Sequence, residues 1–199
     1  MDETKIIDNQ TEFIARVKKY VHRDGVDDLL NYLLKETDFF NAPCSTRFHL
    51  SVPGGLVAHS LGVDDNFDRL CELFAPEIPE DSRRVCALFH DVCKANCYKP
   101  VKKSRKTGRL LPNGKPEWED YIGYDFDEDF PYGHGEKSVN ILQRFIKLTH
   151  DEAMAIRWHM GFSDPTFKGG QQSVSNAMSK CPRVALLHAA DLIATAYEE

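Results

Sequence analysis

No stretch of the 199 residues approaches the ~18 consecutive apolar positions that a membrane helix needs. The first residues, Met1-Asp2-Glu3-Thr4-Lys5, lack the basic start and apolar run of a signal peptide. A cytoplasmic chain with no membrane partner is therefore expected. Positive charge is not in excess: 25 basic residues face 31 acidic ones, a formal net charge of −6. That balance argues against a protein coated in cations for duplex DNA. In a chain of this size without a leader the six cysteines are expected as reduced thiols, and the second clustered pair that would accompany Cys93 and Cys97 in a structural zinc site is missing. Internal repeats and low-complexity tracts are missing as well. What is present is a globular composition, 42% apolar and 28% charged, long enough for one domain over residues 1–199 with a core of its own.

Helical periodicity dominates. Phe13, Ile14, Val17, Tyr20 and Val21 mark a helix over 11–23, and Val26, Leu29, Leu30, Leu33 and Leu34 a second over 26–36, so residues 1–40 read as N-terminal helices. An irregular stretch leads to Pro53-Gly54-Gly55. Further helices are expected at 56–74, 80–93 and 135–148. The capping box Thr149-His150-Asp151-Glu152 starts another before Ala153–Met160, and a last one runs from Pro182 to about Tyr197. Gly161 to Gln172, with Gly169-Gly170, reads as a loop. Residues 98–126 show no helical period but carry Asn113-Gly114 between strand-like residues, which predicts an inserted β-hairpin.

Several residues look out of place in apolar helices. The Val184–Ala194 segment is apolar nearly all round and reads as buried, yet it holds Asp191. A buried carboxylate needs a cation or a salt-bridge partner. His90-Asp91 follow the apolar run Val85–Phe89. Adjacent helical residues point about 100° apart, so both reach one ion only at a helix end or bend. Lys94 follows Asp91 by three residues and can pair with it or with a phosphate. His59 lies on the stripe of Val63, Phe67 and Leu70; His134 sits between two glycines; His159 follows Trp158. Each histidine alone fits a hydrogen-bonded core residue as well as a ligand. Glu136 fits a helix-start charge better than a partner of a metal ligand.

The ordered set His59, His90-Asp91, Lys94, His134, His159 and Asp191 resembles the HD superfamily of metal-dependent phosphohydrolases, over about residues 40–197. Phe89-His90-Asp91-Val92-Cys93-Lys94 looks like its histidine–aspartate doublet, and Ala189-Ala190-Asp191-Leu192-Ile193-Ala194 like its late aspartate helix. The segment from Ala42 to Leu61, with Pro53-Gly54-Gly55 and then His59, is similar to the opening of the HD domain in certain 3′→5′ exoribonucleases and related phage or bacterial proteins. The resemblance implies an all-α HD-domain helical bundle with the 98–126 hairpin as an inserted arm. It implies His59, His90, Asp91 and Asp191 as ligands of one metal, and His134 and His159 as ligands of a second bridged by Asp91. Asp91 and Lys94 would be catalytic, with His49, Lys94 and Lys99 binding substrate. Mixed histidine and carboxylate ligation suits one or two divalent ions among Mn, Fe, Co, Ni, Zn or Mg. The Asp91–His134 gap is lengthened by the hairpin, which places the insertion at the site mouth.

The hairpin splits its charge. Residues 98–116 carry Lys99, Lys102, Lys103, Arg105, Lys106, Arg109 and Lys115 and no acid; residues 117–129 carry seven acids and no base. Cross-strand neutralisation explains this, and so does a basic strand offered to a nucleic-acid backbone with Tyr98, Trp118 or Tyr121 stacking on bases. The leading expectation is hydrolysis of a phosphate ester in a nucleotide or short nucleic acid. The alternatives are a 3′→5′ exonuclease or phosphodiesterase acting on nucleic acid or a cyclic dinucleotide, and a non-catalytic nucleotide-binding regulatory module.

Overall fold

A computed structural model describes the backbone of residues 1–164 and 167–198, and the side chains of 1–164 and 172–197. The fold is mostly α with one small antiparallel hairpin. The helices are α1 (Glu3–Tyr20), α2 (Val26–Lys35), α3 (Gly55–Phe74), α4 (Glu80–Phe89), α5 (His134–Gln143), α6 (His150–Trp158), α7 (Phe167–Lys180) and α8 (Arg183–Ile193). Strands β1 (Tyr98–Leu110) and β2 (Pro116–Phe126) form the hairpin between α4 and α5. None of the described helices is long and apolar enough to cross a membrane.

Two buried clusters organise the helices, and α3 contributes to both. In one, Phe13 of α1 meets Phe39, Phe40 and Phe89 edge-on, with ring centroids 5.3, 5.5 and 5.6 Å away. In the other, Val63 and Phe67 of α3 pack with Cys86 and Ala87 of α4 and with Leu187 and Ala190 of α8. All six cysteines are buried and none is joined in a disulfide, as expected for reduced thiols.

Local chemistry sets the boundaries. Helix α1 begins earlier than its apolar period suggests, because Asp2 caps it by accepting from the Lys5 N–H. The capping box at Thr149 is complete: Thr149 Oγ1 accepts from Glu152 N–H, and the Glu152 carboxylate accepts from Thr149 N–H. Three expectations need correction. The 80–93 helix stops at Phe89, before the doublet. The 161–172 segment is not all loop, since α7 starts at Phe167 and runs through Gly169-Gly170; Val174 and Ala177 are buried by that helix, and this packing outweighs the glycine cost of about 1 kcal/mol each. Helix α8 is buried along one face only, with Leu192 51% exposed.

Glu152 joins the elements around the site. It is fully buried and accepts from Arg23 Nη1 and Nη2 (2.8 and 2.7 Å), Ser82 Oγ (2.5 Å) and Thr149 N–H (2.8 Å). Arg183 of α8 donates to Ser82 Oγ at 2.7 Å, so α4, α6 and α8 meet here. Burial pushes the Glu152 pKa up, but the hydrogen bonds from Arg23, Ser82 and Thr149 pull harder and lower it to about 2 from an ordinary 4.5. A depressed carboxylate contributes its stability in full above its unfolded value and loses it as pH falls through the folded one. Glu152→Ala is expected to lower unfolding free energy by about 3 kcal/mol. The difference from wild type should shrink as pH falls from 4.5 towards about 2 in urea titrations.

Candidate metal centre

Five elements converge on Asp91. His59 comes from the second turn of α3, and His90 and Asp91 from the end of α4, where Asp91 leaves helical geometry at φ −112° and ψ 18°. That break lets the adjacent doublet face one point. His134 opens α5, His159 follows α6, and Asp191 lies on α8.

Two glycines permit the approach. A Cβ on Gly55 would sit 2.1 Å from the Leu50 carbonyl oxygen, so only glycine lets the 41–54 loop, which carries Cys44 and His49, lie against the start of α3. A Cβ on Gly135 would sit 2.1 Å from the Arg157 carbonyl oxygen, so glycine brings α5 against the end of α6 and His134 beside His159. The imidazoles form a continuous row. Ring centroids are 5.3 Å apart for His49–His59 and His59–His90, 4.9 Å for His90–His159 and 5.4 Å for His159–His134.

Asp91 is the hub, and its two oxygens face different partners. Oδ1 lies 2.7 Å from His134 Nε2 and 3.3 Å from His159 Nε2. Oδ2 lies 2.7 Å from Lys94 Nζ, 3.4 Å from His90 Nε2 and 3.8 Å from His59 Nε2. His59 Nε2 is also 3.1 Å from Asp191 Oδ1. Donor atoms of His59, His90 and Asp191 lie close enough together to hold an ion; so do those of His90, Asp91 and His159, and those of Asp91, Cys93 and His134.

The protonation geometry fits a cation. His90 Nδ1–H donates to the Ala87 carbonyl at 2.7 Å, and His159 Nδ1–H donates to the Ile156 carbonyl at 2.7 Å. A carbonyl only accepts, so Nδ1 carries the hydrogen and the neutral ring leaves a bare lone pair on Nε2. Both Nε2 atoms are buried without a hydrogen-bond partner and face the Asp91 carboxylate. Burial lowers the His90 pKa against the pull of Asp91, which opposes relief by a second proton. A lone pair against a carboxylate is repulsive unless a positive ion stands between them, and main-chain anchoring of the other nitrogen is how metal-binding histidines are usually oriented.

Lys94 and His134 lie closest to the Asp91 carboxylate. Burial opposes charging of all three. For Asp91 and Lys94 their mutual attraction outweighs it, and for His134 the contacts with Cys93 and Asp91 do, holding Asp91 well below the carboxylate range and Lys94 and His134 well above theirs. Burial likewise opposes Asp191 ionisation, and the His59 contact outweighs it and lowers that pKa.

A cavity of about 430 Å³ opens beside the cluster, with Lys94, His134 and Lys137 as its cations and Phe126 and Met160 among its apolar lining. Another of about 430 Å³, near Arg16, Asp68 and Arg84, is walled by an ion-pair lattice and lined by none of the cluster.

All six expected ligands come together, with Lys94 against Asp91 and His49 against His59. Lys99 does not join them: it is exposed at the hairpin base and pairs with Asp127. Glu136 sits in the first turn of α5 and pairs with Arg157, the helix-start role. Two thiols join the cluster, Cys93, which sequence reasoning weighed only with Cys97, and Cys44, which it passed over. Cys93 Sγ lies 3.5 Å from His134 Nδ1, and Cys44 Sγ lies 3.6 Å from Lys94 Nζ. Cys93 was visible as the second residue after Asp91; Cys44 had no local signal. His188, one turn before Asp191, donates from Nδ1 to the His159 carbonyl at 2.7 Å and so braces that residue from behind.

No protein-family model, curated protein or solved structure matches the chain.

Proposed function

We propose that the chain is an HD-type, metal-dependent phosphohydrolase acting on a nucleotide or a short nucleic acid. The observation that carries this reading is the Asp91 carboxylate, with one oxygen towards His134 and His159 and the other towards His59, His90 and Lys94. His59, His90, Asp91 and Asp191 would hold one divalent ion, and Asp91, His134 and His159 a second. A divalent cation supplies hydroxide at neutral pH and offsets charge on a phosphoryl oxygen.

The chain's own groups do the rest. Lys94 holds an ammonium at the cavity wall, 2.7 Å from Asp91, where it can take a phosphoryl oxygen and stabilise charge that grows in the transition state. Lys137 adds a second cation on the same wall, steadied by Glu128 at 3.1 Å. Phe126 and Met160 offer an apolar surface to a sugar or base and help exclude water. His188 and the main-chain carbonyls fix the imidazoles, so little reorganisation accompanies the reaction.

A screen of the Mn²⁺-loaded chain tests the reading, using mononucleotides, cyclic dinucleotides and short RNA and DNA. Metal-dependent phosphate release or strand cleavage is expected. Shortening of oligonucleotides from the 3′ end would select the exonuclease form, and release from mononucleotides alone would select the phosphomonoesterase. Nucleotide binding without turnover of any of these substrates would contradict the proposal.

A further inference from the structure

The hairpin is neutral as a whole but not along its length. Near the body its cations are matched across the ladder: Lys99 with Asp127, Lys103 with Asp125, Lys102 with Asp120 and Arg105 with Glu119. Beyond Arg105 the matching stops. Lys106, Arg109 and Lys115 form no ion pair among the described residues, and the single acid at this end, Glu117, accepts from Thr107 Oγ1. The strands lose register between Lys106 and Leu110, where Gly108 takes φ +81°. Trp118 is 58% exposed there, with Lys106 Nζ 5.7 Å from its ring centre.

The strands pack extensively on each other and on no helix to a comparable degree. A 13-residue strand reaches ~40 Å, so the cationic end stands well away from the body. A lone two-stranded hairpin is marginal in water, and nothing in the core requires one this long. Its base, at Phe126, lines the cavity that also holds Lys94 and His134.

We infer that the tip of the arm is a docking surface for a single-stranded nucleic acid. Lys106, Arg109 and Lys115 would meet successive phosphates, and the Trp118 ring would stack on a base. Excess cation beside an exposed aromatic plane fits a polyanion with π faces, and a linear one can touch both the tip and the cavity. The inference extends the phosphohydrolase reading by naming the partner, yet docking itself needs no turnover.

Fluorescence anisotropy of a labelled single-stranded RNA of about ten nucleotides, with chelator present, reads binding apart from catalysis. Replacing Lys106, Arg109 and Lys115 together with Gln is expected to weaken binding on the order of 100-fold at about 0.1 M salt and to reduce the salt slope by about 2. Trp118→Ala is expected to cost about tenfold. Lys102→Gln, at a matched site, should change little. Unaltered affinity in the triple variant would overturn the inference, as would a wild-type chain that binds phosphatidylserine vesicles or a duplex but not the single strand. Should docking fail while hydrolysis persists, only this inference falls. If the strand docks but none of the screened phosphate esters is hydrolysed, the catalytic reading falls instead.

Discussion

Asp91→Asn is expected to abolish metal uptake and to lower metal-dependent hydrolysis by about 1000-fold or more. Asp91 faces five side chains of the cluster, with Lys94 and His134 both at 2.7 Å and His159, His90 and His59 between 3.3 and 3.8 Å. Asn keeps the shape but removes the charge and offers only one oxygen. One of the two groups of imidazoles therefore loses its shared ligand whichever way the amide turns. The alanine variant is the harsher test, because it also removes the oxygen that Lys94 donates to, a change that costs about 3–5 kcal/mol of stability. Circular dichroism of the Asn variant separates loss of chemistry from loss of fold. A folded Asn variant with full activity would place the chemistry elsewhere.

Lys94→Met should lower kcat by about 100-fold while leaving metal content unchanged. The ammonium is held charged by Asp91 and also lines the wall of the cavity. Its role is therefore towards substrate. Lys94→Arg is not expected to restore the rate, since a planar guanidinium cannot occupy the compact space between Asp91 and Cys44 in the same way. Single-turnover kinetics with elemental analysis of the same samples reads both quantities. Loss of metal in the Met variant would reassign Lys94 from substrate contact to support of the ligands.

Much of the fold is legible in the amino-acid sequence. The hairpin limits, 98 and 126, follow from a lost helical period and an Asn-Gly turn, and the structure has them at those residues. The capping box at Thr149 announces α6 because its two hydrogen bonds need only local spacing. The six site residues were legible as residue types in order. Their convergence was expected only through the family resemblance, because residue spacing does not show that Gly55 and Gly135 accept carbonyls a side chain would exclude. Position along the chain also misled at Lys99, which lies near Lys94 in sequence but turns out along the arm towards Asp127. The start of α7 was hidden because Gly169-Gly170 breaks helical propensity locally, while the burial that pays for it comes from Val174 and Ala177 further on. Cys93 was weighed only with Cys97 and Cys44 was missed, because a thiol signals its role through its neighbours in space.

The central claim is that these six side chains hold metal. Elemental analysis of the purified chain, after exposure to first-row divalent ions and removal of the excess, tests it most directly. One or two equivalents per wild-type chain, with none in the folded Asp91→Asn variant, is the expected result. A wild-type chain that takes up no ion, or a variant that keeps the full complement, would contradict it.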